Sequence, residues 1–246
     1  MQLNGREIRQ RIIEDYYASI YDKAFRDDGT LSFGIKYFYS FLAKSFDDSG
    51  VNQYSRILEL GAGNGEFWPH LKQLPELEYV ALDLRPLSDD RYLKAMSQEF
   101  QDKFSHVVGN AQNIPFEDEY FDRSFSSCLL HHVEEPIEVL TEVRRVTKIG
   151  GEIIFAMPTD PGFLNQTLKH FFSYRKMKSF SKYDPALFYA LDHPNHVKAL
   201  MTLIEFVFQE DELIFRYSPF RFRSWNFNLI VVAHIKKVSK DPRYVI

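Results

Sequence analysis

The chain has 246 residues, enough for one α/β domain with insertions or at most two small ones. A net charge of −4 gives no basic surface for a nucleic-acid duplex, and the single cysteine, Cys128, excludes a disulfide framework within the chain. Residues 1–30 lack the basic start and apolar core of a signal peptide, and no stretch reaches the ~18 uninterrupted apolar residues of a membrane span, so a cytoplasmic protein is expected.

Taken in chain order, Ile8, Ile12, Ile13, Tyr16 and Ile20 recur at helical spacing and predict an amphipathic helix over 6–25. An aromatic helix is expected over 32–46. "SRILEL" (55–60) and "EYVALD" (78–83) read as buried strands, followed by a helix with Leu93, Met96 and Phe100 on one face. "FSHVVG" (104–109) predicts a third strand and "FDRSFSS" (121–127) a fourth. Val133, Ile137, Leu140, Val143 and Val146 mark a helix with Pro136 near its first turn, closed by Ile149-Gly150-Gly151. "EIIFAMP" (152–158) is a fifth strand. Residues 160–195 read as irregular and aromatic. Val197, Leu200, Met201, Ile204 and Phe208 then predict a helix, and two runs without a crossover helix, 212–217 and 226–237, should pair antiparallel. Alternating strands and helices imply an α/β fold with a mostly parallel sheet and helices on both faces, finished by a C-terminal antiparallel hairpin.

The informative stretch is "ILELGAGNGEFW" (57–68), in which Gly61, Gly63 and Gly65 follow a strand. A dinucleotide fingerprint needs its third glycine one place later, where Glu66 stands. Glu59, two residues before the first glycine, would repel a pyrophosphate held at the turn and favour a cationic ligand instead. S-adenosylmethionine carries a sulfonium and an ammonium group and no phosphate.

This stretch resembles the first motif of class I S-adenosylmethionine-dependent methyltransferases, of the methyltransferase domain type 11-like kind, with a seven-stranded Rossmann-like sheet. The resemblance extends to Asp83 in "VALDL", to "GNAQNIPFEDEYFD" (109–122), and to "FSSCLLHHVEEPIEVLTEVRRVTKIGGEIIFAMP" (125–158). It covers residues 50–158 well and the remainder by topology. Where the family usually has Asp-Ala after the third strand, this chain has Asn110-Ala111. It implies S-adenosyl-L-methionine as cofactor. Glu59 and the Gly61-Ala62-Gly63-Asn64-Gly65 turn would face its methionine part, Asp83 its ribose, and Leu84 its adenine. Asn110 and Ala111 would read the adenine edge, and Ser127 and Cys128 would lie under the sulfonium. Tyr16, Tyr17 and Tyr21 of the first helix are candidates for closing over the pocket or for packing on the core. A Rossmann-like domain that has lost its ligand and a nicotinamide enzyme are the rival readings.

For methyl transfer to oxygen, a base is needed near the methyl group. His131 and His132, at the end of the fourth strand, and His193, in a loop opening a helix, are the candidates; His132 matches the family's common His. Packing is the competing role for each, and Asp192 is either a turn residue or the carboxylate partner of His193. No metal site is read. "LKHFFSYRKMKSFSKY" (168–183) holds Lys169, Arg175, Lys176, Lys178 and Lys182 without an acid, interleaved with Phe171, Phe172, Tyr174 and Phe180. It reads either as a solvated helix face or as a cover for a small-molecule acceptor, most simply an anionic sugar derivative, with at most peripheral membrane contact. The block 158–197 is loosely like methyltransferases of bacterial surface-polysaccharide biosynthesis. The expected organisation is one methyltransferase domain over 1–246. It comprises a helical cap (1–50), the cofactor-binding core (51–158), a substrate-cover insertion (159–196), and the terminal helix and hairpin (197–246). A non-catalytic methyltransferase-like partner subunit and an RNA or protein methyltransferase are the alternatives, and no nucleic acid is expected.

Overall fold

The computed structural model describes residues 4–16, 30–47, 56–63, 65, 67, 77–86, 98, 103–174, 178 and 182–240. Apart from Gln98, the expected helix around Leu93–Phe100 lies outside them, as do Tyr17 and Tyr21.

Seven strands form one sheet in the order β3-β2-β1-β4-β5-β7-β6. They are β1 (Arg56–Leu60), β2 (Glu78–Asp83), β3 (Phe104–Val108), β4 (Phe121–Ser127), β5 (Thr147–Pro158), β6 (Glu212–Ser218) and β7 (Ile230–Lys236). The first five pair parallel, and β7 runs antiparallel between β5 and β6. The five parallel strands therefore end on one edge, and the order reverses between β1 and β4, where open α/β sheets place their ligand crevice.

Side chains alternate across each strand, which divides the core in two. On one face Leu58, Leu60, Val80, Phe155 and Met157 pack under α3 (Pro136–Val146) and α6 (Val197–Val207). On the other face Ile57, Tyr79, Ala81, Phe125 and Ile154 pack under α2 (Thr30–Asp47) through Phe38, Leu42 and Phe46. Phe125 sits at the middle of that second layer, edge-on to Phe46 at 4.8 Å and tilted against Phe67 at 5.0 Å. The first helix, α1 (Gly5–Tyr16), is described only to Tyr16, which stacks on Phe188 of α5 (Pro185–Asp192) at 3.3 Å.

Two sequence expectations are corrected. Ile149-Gly150-Gly151 does not cap α3. The helix stops at Val146 because Thr147 is already extended, and its Oγ1 donates to the Val143 carbonyl. The glycines serve a bulge inside β5 instead. Gly150 has φ +79°, and a Cβ on Gly151 would lie 2.7 Å from the Asp122 carbonyl. Residues 160–195 are also more regular than their composition suggests. They hold α4 (Phe163–Leu168), which continues as a π-helical turn over Lys169–Ser173, and then α5. Asp184 starts α5 by accepting the Ala186 N–H at 2.8 Å, with Pro185 in its first turn. Asp192 is the last residue of α5, and His193 follows it in the short connection that leads into α6, as expected.

Among the described residues no helix is long and apolar enough to cross a membrane.

Phe125→Ala should lower the unfolding free energy by about 3–5 kcal/mol in urea titrations. Ile214→Ala, at a side chain 62% exposed, should change it by no more than about 0.5 kcal/mol.

Candidate active site

At the carboxyl edge of the sheet the chain turns sharply after β1. Gly61, Gly63 and Gly65 all have positive φ, at 68°, 55° and 75°, conformations that only glycine adopts freely. At Gly61 a Cβ would also approach Leu129 to 3.0 Å. Backbone hydrogen bonds tie the turn to the neighbouring strand: the Gly61 N–H donates to the Leu82 carbonyl at 2.8 Å, and the Gly65 N–H to the Ala62 carbonyl at 2.8 Å.

Asp83, the last residue of β2, joins three strand ends. Its Oδ2 accepts the Gly63 N–H at 2.9 Å and its Oδ1 accepts the Arg85 N–H at 3.0 Å. Its carbonyl accepts the Gly109 N–H at 2.9 Å, which brings in the end of β3. Leu84 follows and is 68% exposed, an apolar side chain left in the open beside a polar junction. Across the crevice Asn110 is exposed and folds onto Gln112, whose N–H its Oδ1 accepts at 3.0 Å, while Ala111 is buried.

Glu59 lies in β1 on the α2 face and is buried, with Tyr79 donating its hydroxyl to Oε2. The two are diagonal neighbours on adjacent strands, since Glu59 is in register with Ala81. Burying a carboxylate here costs free energy that an apolar residue would not incur, and hydrogen bonding offsets part of it. Ser127 ends β4, and Cys128 follows with φ +63°, a strained backbone for a residue with a side chain.

A second set of polar groups gathers beside the ends of β4 and β5. Asp160 follows β5 and is buried. Its Oδ2 accepts from the Lys169 ammonium and its Oδ1 from Gln166 at 2.6 Å. Burial alone would push its carboxyl up, but His193 and Lys169 outweigh that and hold it well below the usual carboxylate range. Lys169 has its Nζ 3.9 Å above the Tyr189 ring; burial lowers its pKa, while Asp160 works against that.

His193 stands edge-on to Tyr189, with ring centroids 5.0 Å apart. Its Nδ1 is 3.7 Å from Asp160 Oδ2, and its Nε2 is 3.7 Å from Asp192 Oδ2. Burial pushes the imidazole pKa down. His132 Nδ1 donates to the Asp192 carbonyl at 3.1 Å and lies 3.2 Å from Asp192 Oδ2. The ligand-capable atoms of His132, Asp192 and His193 fall within 4.8 Å of one another, a spacing that suits a divalent ion; as they stand, His132 and Asp192 satisfy each other. His131 is different. It is fully buried, with Nε2 at 3.1 Å from the Pro158 carbonyl.

The structure thus brings Glu59, Gly61, Gly63, Gly65, Asp83, Leu84, Asn110 and Ala111 to one edge, with Ser127 and Cys128 at the end of the next strand over. It brings His132 and His193 together and sets His131 behind them. Tyr16 lies against α5 with its hydroxyl pKa raised by burial and then by Asp192. Asp160, Tyr189 and Tyr79 were not legible in the sequence. The only signal for Asp160 was its position just past a strand end, and Lys169 read there as one of a basic run, either a solvated face or a cover over the acceptor.

Residues 58–155 match the family model described as a methyltransferase domain. Among curated relatives, a ubiquinone/menaquinone biosynthesis C-methyltransferase of Proteus mirabilis is 27% identical over 160 residues, covering 62% of this chain and 61% of that protein. The chain therefore spans about three fifths of the length of the curated relatives it matches. A solved structure of Burkholderia thailandensis 1,6-didemethyltoxoflavin-N1-methyltransferase, with its substrate and S-adenosylhomocysteine bound, aligns at TM-score 0.61 and 12% identity, covering 97% of this chain and 92% of that one. Haemonchus contortus phosphoethanolamine N-methyltransferase 2, in complex with S-adenosyl-L-methionine, aligns at TM-score 0.56 and 15% identity over 92% of this chain and 60% of that one. At such identities these two establish the shared fold.

Burial holds the His131 pKa down to about 3, against 6.5 for the free side chain. A group with a depressed folded pKa contributes its full stability above its unfolded value and loses it as pH falls through the folded one. The unfolding free energy should therefore drop between pH 6.5 and about 3, and His131→Gln should flatten part of that drop in urea titrations across the range.

Proposed function

We propose, from the premise that residues 58–155 are a class I S-adenosylmethionine-dependent methyltransferase domain, that this protein transfers a methyl group from S-adenosylmethionine to a small-molecule acceptor. The observation that carries the proposal is the junction at Asp83, where a bare glycine turn preceded by a buried carboxylate meets the ends of β2 and β3.

These residues fit the cofactor. The turn exposes backbone rather than side chains, and Glu59 supplies negative charge suited to the cationic methionine end. Asp83 has a carboxylate at the crevice for ribose hydroxyls. Exposed Leu84 offers an apolar face for a planar base, and Asn110 a side-chain carbonyl for its amino group. Ser127 and Cys128 line the side toward the acceptor. When bound, the cofactor supplies an activated methyl group, and the protein's part is positioning and proton handling.

On the acceptor side, His193 is the proton acceptor of this reading. Burial keeps its imidazole neutral at physiological pH, so one ring nitrogen is free of a proton. Asp160 and Asp192 flank its two nitrogens at 3.7 Å and can stabilise the imidazolium once it forms. Lys169 offsets the charge of Asp160, and His131 holds the β4–β5 edge in place through Pro158.

For the acceptor itself, we infer a sugar-bearing small molecule methylated at oxygen or nitrogen. The support is aromatic: Tyr174 stands half-buried 5.7 Å from Tyr189 beside the polar cluster, a ring on which a sugar can stack. Support from charge is weaker than the sequence suggested, since Lys169, Lys178 and Lys182 face carboxylates of Asp160, Asp184 and Asp15. A quinone-type ring methylated at carbon is the second reading, favoured by what the curated relatives are described as making.

Binding and activity measurements test these statements. In calorimetry with S-adenosylhomocysteine, Asp83→Ala should weaken binding by about tenfold to a hundredfold, the loss expected for hydrogen bonds to a charged group. Absence of binding in the wild type, or an unchanged affinity in the variant, would refute the cofactor site. With labelled donor and fractionated cell extract, mass spectrometry of the product should show the methyl on oxygen or nitrogen. Cofactor binding with no methylated product would favour the partner-subunit alternative. Once the acceptor is in hand, His193→Gln should lower kcat by about a hundredfold or more with cofactor affinity intact. Wild-type activity should fall only as pH drops below 6.5. A chelator should leave activity unchanged; loss on chelation, restored by a divalent ion, would replace the proton role with a metal at His132, Asp192 and His193.

A further inference from the structure

The loop between β6 and β7 presents aromatic side chains to solvent in a built arrangement. Phe220, Phe222 and Phe227 are 50%, 53% and 53% exposed, and Phe163, at the start of α4, is 64% exposed. The loop is stapled from inside by Asn228, which is fully buried. Its Oδ1 accepts the Phe220 N–H at 2.8 Å, and its Nδ2 donates to the Phe222 and Ser224 carbonyls at 3.1 and 2.7 Å. Asn226 ties the loop to α4 by accepting the Leu164 N–H at 2.9 Å through its carbonyl. Phe163 and Phe227 meet edge to face at 6.4 Å, and Phe220 stacks on Phe222 at 5.7 Å. Folding thus holds four phenylalanines outward at a cost that a solvent-facing loop has no reason to bear.

The loop's own charges are cationic. Segment 213–230 carries Arg216, Arg221 and Arg223 and no Asp or Glu. Arg221 and Arg223 are exposed and alternate with the phenylalanines; Arg223 engages Glu205 from α6. Aromatic rings at headgroup depth with interleaved cations suit an anionic lipid surface.

We propose that loop 219–229 and the start of α4 dock on an anionic phospholipid bilayer. Pro158 pairs with Ile230, and the Thr159 N–H donates to the Leu229 carbonyl at 3.1 Å, so this loop sits at the edge of the sheet where β5 delivers Asp160. Docking brings the acceptor side of the candidate site to the membrane and points to a membrane-borne acceptor. That last step rests on the methyl-transfer reading; the docking does not.

The test is cosedimentation of the whole protein with vesicles of equal parts phosphatidylglycerol and phosphatidylcholine, against vesicles of phosphatidylcholine alone. Binding to the anionic vesicles is expected. It should fall about tenfold or more in Phe222→Ser/Phe227→Ser and about fivefold in Arg221→Ser. S-adenosylhomocysteine affinity should stay at the wild-type value in these variants, which separates failure of docking from failure of the cofactor site. No binding to anionic vesicles at low salt, or equal binding by Phe222→Ser/Phe227→Ser, would overturn the proposal. A dimer in sedimentation equilibrium that is lost in Phe222→Ser/Phe227→Ser, without vesicle binding, would overturn it in favour of an interface between copies of the chain.

Discussion

Everything at the candidate site depends on how Asp83 closes the carboxyl edge of the sheet. One residue accepts the Gly63 N–H through its side chain and the Gly109 N–H through its carbonyl, so the turns after β1 and β3 are located by the end of β2. The parallel strands supply the reason such a junction exists. Their ends lie on one edge, and the order reverses between β1 and β4, the place where open α/β sheets hold their ligands. Glycines make the turn narrow enough to border it. Glu59 is buried beside the turn, and Tyr79, diagonal to it on β2, makes the burial of that carboxylate tolerable.

The segment after β5 obeys a different constraint. Residues 160–193 bury Asp160, and a buried carboxylate must be paired. Lys169 comes down from the π-helical turn to do so, and the wider turn carries it over Tyr189. The pair then shapes its surroundings. His193 faces the same carboxylate, His132 is held by Asp192, and the two imidazoles stand perpendicular at 4.6 Å. A neutral, largely buried histidine between two carboxylates is an arrangement suited to taking a proton. The exposed loop at 219–229 adjoins this cluster through β5, so the proposed docking surface and the proposed acceptor side would share one end of the molecule.

The sheet was legible because its signals are local. Apolar runs bounded by turn residues marked β1 to β4 within a residue of where they fall, and the missing crossover helix marked the terminal hairpin. The bulge at Gly150 and Gly151 was misread, since a glycine pair after a helix looks like a cap until the neighbouring strand's Asp122 carbonyl is known. Segment 160–195 was read as irregular for a related reason. Aromatic and basic residues at 168–183 carry no clear period, and whether Lys169 is solvated or buried depends on Asp160 and Tyr189, both distant from the run in composition and role. Glu59, Asp83 and Asn110 were legible as a set because motif spacing relates them to strand ends. The grouping of His132, Asp192 and His193 needs the α5–α6 connection to meet the β4 loop, a tertiary contact that Asn195 makes by donating to the Leu130 and Val133 carbonyls.

The central claim is that the β1, β2 and β3 ends form one cofactor pocket. Hydrogen-exchange mass spectrometry with and without S-adenosylhomocysteine tests it most directly, because exchange reports on each backbone segment separately. The account predicts added protection in peptides covering 59–65, 83–85 and 109–111 together, with β6 and β7 unchanged. Protection confined to other segments, or none at saturating ligand, would contradict it.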